Sequence, residues 1–228
     1  MPQQISITVY QYDELSEKAK EKARTWYSEG AFNDATWAEY TVNDFVEVAK
    51  RLNIDISERT FRAIGGQEKS EPKVSWDNFP WRLAFEGSWT AAGFDPKKVT
   101  EWAPQDEKLK EIAAQLQTIV ERAGPDVQVK CGVSRDCWPE IEMVSGELDS
   151  TAEVEEPLKE LCRWGAANLE SEWEYQNSRE QIEESIRANE YEFTADGERF
   201  VVERGQENTA ATALEAEGEH EAEHGVSR

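Results

Sequence analysis

Between Glu153 and Ala188 the chain carries its longest uninterrupted helical pattern, and this stretch restricts the fold more than any other. Leu158, Leu161, Cys162, Leu169 and Trp173 recur at spacings of three, four and seven, so they share one face of a helix. An apolar stripe of that length must be covered. The remaining surface of the stretch is acidic: from Glu153 to Glu192 twelve acidic residues stand against four basic ones, net −8. A helix that gives its inner face to a core and its outer face to carboxylates is a scaffold displaying charge rather than a reaction centre. A break is expected near Asn177, because Ser178 with Gln181 three residues on forms a capping box, opening a shorter helix through Ile186.

The sequence before this stretch supplies the cover. Ile5, Ile7 and Val9 alternate with polar neighbours through Tyr10, the period of a half-buried strand. Ser16 then caps a helix with Ala19, Ala23, Trp26 and Tyr27 on one face, stopped by Gly30. Its other face holds Lys18, Lys20, Glu21, Lys22 and Arg24, a locally basic patch expected to pair with the C-terminal acidic helix. A second helix falls between Phe32 and Leu52, and strands follow at Ile54–Ile56 and Thr60–Ile64, the latter closed by Gly65-Gly66. Val74 to Trp89 is dense in aromatic residues and its second half reads as a strand. A helix over Asp106–Ala123, strands over Val127–Val133 and Glu140–Leu148, and a hairpin turning at Asp196-Gly197 complete the pattern. The expected fold is α+β, an antiparallel sheet with helices packed on one face and a long acidic C-terminal helix. One domain is expected over residues 1–205, followed by an acidic, disordered tail over 206–228.

Charge then narrows the partners. The formal net charge is −23, and the tail from Gln206, with six glutamates and one arginine, supplies −5 of it, leaving −18 on Met1–Gly205. Such a chain is repelled by nucleic acid and by anionic membrane, so a basic protein surface is the expected partner. Solubility alone also accounts for an acidic surface. No apolar run is long enough to span a bilayer and no basic start precedes an apolar stretch, so a cytoplasmic location is expected. Cys131, Cys137 and Cys162 are an odd set without paired spacing, consistent with reduced thiols.

The motifs that resemble catalytic ones are weak in their context. His220-Glu221-Ala222-Glu223-His224 matches a zinc-binding pattern, yet it lies in the Glu-rich tail, where a buried helix and a third ligand are missing from the pattern. Gly65-Gly66-Gln67 reads as a turn, and Glu140 with Glu142 as a solvated strand face. With both histidines in the tail, no Ser/His/Asp or Cys/His set can form, and a non-enzymatic protein without cofactor or metal is expected. Surfaces remain. Glu170, Glu172, Glu174, Glu180, Glu183 and Glu184 are the candidate partner-binding carboxylates, and Trp76, Trp81 and Trp89 mark a candidate aromatic surface with core packing as its alternative use.

Tyr10 to Tyr27 (YQYDELSEKAKEKARTWY), Phe85-Glu86-Gly87-Ser88-Trp89, Glu101-Trp102-Ala103-Pro104 and Asn189 to Gly197 (NEYEFTADG) together resemble a family of small acidic proteins encoded by bacteriophages and prophages and often labelled antitoxin-like. The resemblance implies a phage context. Joined to the charge, it leads to an expected non-enzymatic inhibitor of a host defence system, binding a basic nucleic-acid-handling surface of a CRISPR effector or a restriction enzyme by nucleic-acid mimicry. An antitoxin covering its toxin through the aromatic segment, and an enzyme with an unrecognised site, are the alternatives.

Overall fold

The computed structural model describes residues 7–31, 36–63, 65–78 and 80–201. The tail expected to be disordered, with its His-Glu-x-x-His pattern, lies outside the described residues, as do Ile5, Ile64, Phe79 and Val202. In chain order the elements are β1 (Tyr10–Gln11), α1 (Glu17–Ala31), α2 (Glu39–Arg51), β2 (Ile54–Ile56), β3 (Glu58–Arg62), β4 (Glu68–Pro72), β5 (Val74–Asp77), β6 (Arg82–Phe85), β7 (Gly87–Thr90) and α3 (Lys97–Thr100). They continue with α4 (Glu107–Ala123), β8 (Gln128–Val133), β9 (Pro139–Ser145), α5 (Ala152–Gln176), α6 (Arg179–Ala188) and β10 (Glu192–Phe193). All strand pairs are antiparallel and the fold is α+β. The chain divides into two compact units, Ser28–Ile182 and Met1–Tyr27 with Glu183–Arg228.

The larger unit is built on a four-stranded sheet in the order β2-β7-β8-β9. Ile54, Trp89, Val129 and Met143 stand opposite one another in a single row across it. One residue along, Asp55, Ser88, Lys130 and Glu142 form the next row and face solvent, with Asp55, Lys130 and Glu142 exposed. The period of two thus gives the sheet one apolar face, and α2, α4 and α5 contribute Phe45, Leu116, Leu158, Leu161 and Leu169 to the core on it. Of the expected stripe on α5, Leu158, Leu161, Cys162 and Leu169 are fully buried and Trp173 half-buried. Asp106 caps α4 by accepting from Leu109 N at 2.9 Å. Gly65 and Gly66, at φ +104° and +83°, turn the β3–β4 hairpin, so Gly65-Gly66-Gln67 is a turn, as its flanks imply.

Two positions in this unit carry unusual constraint. At Gly87 a Cβ would come within 2.2 Å of the Asp55 carbonyl oxygen, so only glycine lets β7 approach β2. Trp89 is fully buried in the core, and its Nε1–H finds no acceptor. Leaving that donor dry costs about 1–3 kcal/mol. Trp89→Phe therefore keeps the aromatic packing while removing the orphan donor and is expected to be neutral or mildly stabilising; Trp89→Ala is expected to cost about 3–5 kcal/mol. Urea denaturation of the two variants beside the parent checks both signs.

The smaller unit joins the ends of the described chain. Of the strand expected from Ile5 to Tyr10, the described residues 7–9 lie outside any strand, and β1 holds two residues, pairing with β10 as Tyr10 opposite Phe193 and Gln11 opposite Glu192. The hairpin expected around Asp196-Gly197 is reduced to its turn and a single bridge, Phe193 to Arg199. The reason is burial. Phe193 is fully enclosed, and the Trp26 ring covers it at 5.8 Å, so the strand is spent on closing this small core with Tyr12, Leu15, Ala19, Ala23 and Ile186. Gly197 sits at φ +88° with the place of a Cβ 2.2 Å from Ala19 O, which locks the turn onto α1.

Of the basic patch of α1, Arg24 reaches an acid of the stretch expected to receive it, whereas Lys22 pairs with the turn after β10 and Lys20 with Glu17 of its own helix. Lys22 Nζ lies 2.8 Å from both Asp196 Oδ2 and Glu198 Oε1, and Arg24 donates to Glu183 Oε1 at 3.1 Å and to the Tyr12 hydroxyl at 2.8 Å. The ammonium of Lys22 and the Thr194 hydroxyl hold the Asp196 carboxyl down at about 2. A folded pKa below the unfolded value, about 3.9, means stability that is present above that value and lost as pH falls through about 2. Asp196→Asn is accordingly expected to lower Tm at pH 7, with the difference from the parent closing between about pH 4 and pH 2. Because the pair is exposed, the effect is expected to be small and to shrink with salt. Thermal melts across pH at two salt concentrations check this.

Candidate functional site

Along α5 the carboxylates fall into two electrical halves. In the first, Glu153 pairs with Arg122, Glu155 with Lys159, Glu156 with Arg163 at 2.8 Å, and Glu160 with both Lys108 and Arg163. The Lys108 ammonium, followed by Arg163, holds the Glu160 carboxyl below the usual carboxylate range. Beyond Ala167 the pairing stops. Glu170 and Glu174 are exposed, one helical turn apart, and neither forms an ion pair or side-chain hydrogen bond among the described residues. The last turn of α5 carries no basic residue either.

The six candidate glutamates do not form one face. Glu172 lies two residues from each of Glu170 and Glu174, roughly 200° around the helix, and is half-buried with its Oε1 accepting from Gln176 Nε2 at 2.8 Å. Glu180, in the first turn of α6, and Glu184 are exposed and unpaired among the described residues. Glu183 is not available: its side chain is 16% exposed and is held by Arg24 and, at 3.2 Å, by Arg187. Its assignment to a partner-binding face is thus corrected, because the cations of the smaller unit use it to hold α1 and α6.

The aromatic candidates separate similarly. Trp89 is out of reach of any partner, which corrects its assignment to a docking surface. Trp76 and Trp81 are half-buried and stack edge-on with Trp37 at 5.4 and 6.1 Å, and Trp81 meets Trp173 of α5 at 6.1 Å. Their rings are committed chiefly to one another. A depression of about 490 Å³ beside Trp76, lined by Val42, Asn43, Arg59 and Glu71 among others, already contains the Arg59–Glu71 ion pair.

A smaller cavity, of about 290 Å³, joins residues that the sequence pattern did not single out. Thr41 and Asp44 of α2, Trp102 from the turn after α3, and Trp164, Asn168, Ser171 and Glu172 of α5 line it. Trp164 Nε1 donates to Asp106 Oδ2 at 2.8 Å, and Asn168 Nδ2 to Trp164 O at 3.0 Å, so the α5 wall is fixed. Trp102 is 41% exposed and carries the Arg51 guanidinium 4.9 Å from its ring centroid. The signal was available in the spacing 164, 168, 171, a polar-aromatic stripe beside the apolar one. Its meaning needed the contact to Asp106, 58 residues away.

Residues 37–179 match the family described as Domain of unknown function (DUF8835). The chain belongs to this family. No curated protein and no solved structure matches it. The DUF8835 segment takes in the four-stranded sheet, all of α2 to α5, both cavities, and Glu170, Glu172 and Glu174. Glu180, Glu183 and Glu184 fall beyond it, as do the Tyr10–Tyr27 and Asn189–Gly197 motifs.

Glu170 and Glu174 repel each other across one turn, at about 0.2–0.5 kcal/mol, and Glu174 opposes the negative end of the α5 dipole, at about 0.3–1 kcal/mol. Among the described residues no ion pair offsets these terms. The double variant Glu170→Gln/Glu174→Gln is therefore expected to gain up to about 1 kcal/mol of stability at low salt, with the gain fading at high salt, as measured by denaturant unfolding.

Proposed function

We propose that this protein is a phage-derived, non-enzymatic inhibitor working in the bacterial cytoplasm. It binds a basic, nucleic-acid-handling surface of a host defence complex of the CRISPR-effector or restriction-enzyme type. The observation that carries this reading is the pair Glu170 and Glu174, exposed and without cations on a helix whose first half neutralises its own acids. Carboxylates that cost stability and serve no internal contact are charges offered outward. With Cβ atoms about 5–6 Å apart they present a row of negative charge that a groove built for phosphates accepts. The net charge of −23 steers such a partner in from a distance and keeps nucleic acid away. The phage setting rests on the family resemblance of the Tyr10–Tyr27 and Asn189–Gly197 motifs. The helices of the described residues include none long and apolar enough to cross a membrane.

Affinity capture from a host bacterial lysate at low and high salt, with mass spectrometry of what is retained, tests the reading. Recovery of a nucleic-acid-binding complex that elutes with salt is expected. Glu170→Lys/Glu174→Lys is expected to weaken that capture at least about tenfold while leaving Tm equal or higher. A salt-resistant small toxin as the captured protein, or capture untouched by the double reversal, would overturn it.

A further inference from the structure

We infer that the cavity formed by Asp44, Trp102, Trp164 and Glu172 is a recognition pocket for a single lysine side chain of a partner protein. The inference rests on the reading of a basic partner and adds the place where that partner is gripped.

The chemistry of the walls selects a cation. Two indoles, Trp102 and Trp164, line it together with the carboxylates of Asp44 and Glu172, while no lysine or arginine lines the cavity, a residue set of the kind that recognises cations. Asp44 is exposed and forms no ion pair or side-chain hydrogen bond among the described residues. Glu172 has only Oε1 engaged, with the neutral Gln176 amide. Thr41, Asn168 and Ser171 add neutral oxygens that accept from an ammonium.

The pocket is also built before any ligand arrives. Asp106, fixed as the cap of α4, takes the Trp164 indole proton and so holds that ring in place and enriches it in electrons. At Trp102 the ring already holds a cation, since Arg51 lies over it. Arg51 is itself tied to Glu47 at 2.6 Å, which leaves the cavity unfilled from within. A volume of about 290 Å³ sits at the bottom of the range for small-molecule sites, about 300–1,000 Å³, and suits one side chain rather than a cofactor. The charge of the lining favours this ligand as well: Asp44 and Glu172 line the cavity from α2 and α5.

The test uses the full-length protein labelled with nitrogen-15 at its indoles and titrated with the peptide amide Gly-Lys-Gly, followed by NMR. Saturable shifts of the Trp102 and Trp164 indole resonances are expected, with no saturable response to Gly-norleucine-Gly, whose side chain is that of lysine without the ammonium. Asp44→Asn/Glu172→Gln is expected to weaken the lysyl peptide at least about tenfold, while Glu170→Gln/Glu174→Gln leaves it unchanged. Equal response to norleucine, no saturation with the lysyl peptide, or insensitivity to Asp44→Asn/Glu172→Gln with an unaltered melting curve would overturn the pocket. Tighter binding of tetramethylammonium than of the lysyl peptide would overturn the lysine assignment in favour of a free quaternary ammonium. Partner capture that needs Glu170 and Glu174 but ignores Asp44 and Glu172 would sink the pocket alone; lysyl binding without any captured partner would sink the inhibitor reading alone.

Discussion

The close approach of α5 to α2 and β6 sets the geometry of the larger unit. At Gly165 a Cβ would lie 2.6 Å from Phe45 Cδ2 and 3.0 Å from Leu83 Cδ1, so the helix sits as near to its neighbours as a backbone can. Leu161, Cys162, Ala166 and Leu169 surround this point, all buried. Such tight packing fixes the rotation of α5 about its axis, and rotation decides which carboxylates face water. The exposure of Glu170 and Glu174, and the half-burial of Glu172, follow from a glycine between one and three turns away. The same packing brings Trp164 and Asn168 alongside Thr41 and Asp44, so the polar cavity is the solvent-side margin of the α2–α5 contact.

Buried thiols belong to the same core. Burial pushes Cys131 up to about 12 and pushes Cys162 up as well, so both behave as small apolar residues rather than nucleophiles. The chain's polar chemistry is therefore displaced to its margins: the solvent row of the sheet, where Glu142 stands opposite Lys130, and the end of α5. Glu140 and Glu142 are both exposed, the solvated strand face that their alternation implies.

Much of the fold was legible because its periods are clean. The stripe Leu158–Leu161–Leu169, the cap at Asp106, the break at Ser178 (whose hydroxyl accepts from Gln181 N at 3.2 Å) and the Gly65-Gly66 turn each rest on local chemistry that the sequence carries in a few residues. What the pattern missed is non-local. A two-residue β1 pairing with β10 has no period to detect, and its partner lies more than 180 residues away. Reading three glutamates spaced by two as one face applies a strand's period to a helix, and the 3.6-residue turn separates Glu172 from its neighbours. The fate of Trp89 was equally hidden, since an aromatic run reads the same whether it is core or surface until the register places it opposite Ile54 and Val129.

The motifs that carry the phage-family resemblance are taken up by packing. Tyr12 and Leu15 are core residues of the smaller unit, Ser16 Oγ accepts from Ala19 N, and Ala19 receives the Gly197 turn. Trp26 covers Phe193 and also meets Tyr191 at 5.3 Å. The opening motif and the Asn189–Gly197 motif are thus two halves of one packing solution. Phe85 and Trp89 do the same for the sheet, with Gly87 between them keeping β7 close to β2. Residues held by such steric demands identify a fold and leave its activity unstated. Function has to be sought where the fold makes no demand; in the larger unit such places include Glu170 and Glu174, which the helix would be more stable without, and Asp44, a carboxylate without an ion pair among the described residues that lines a cavity with Trp102 and Trp164.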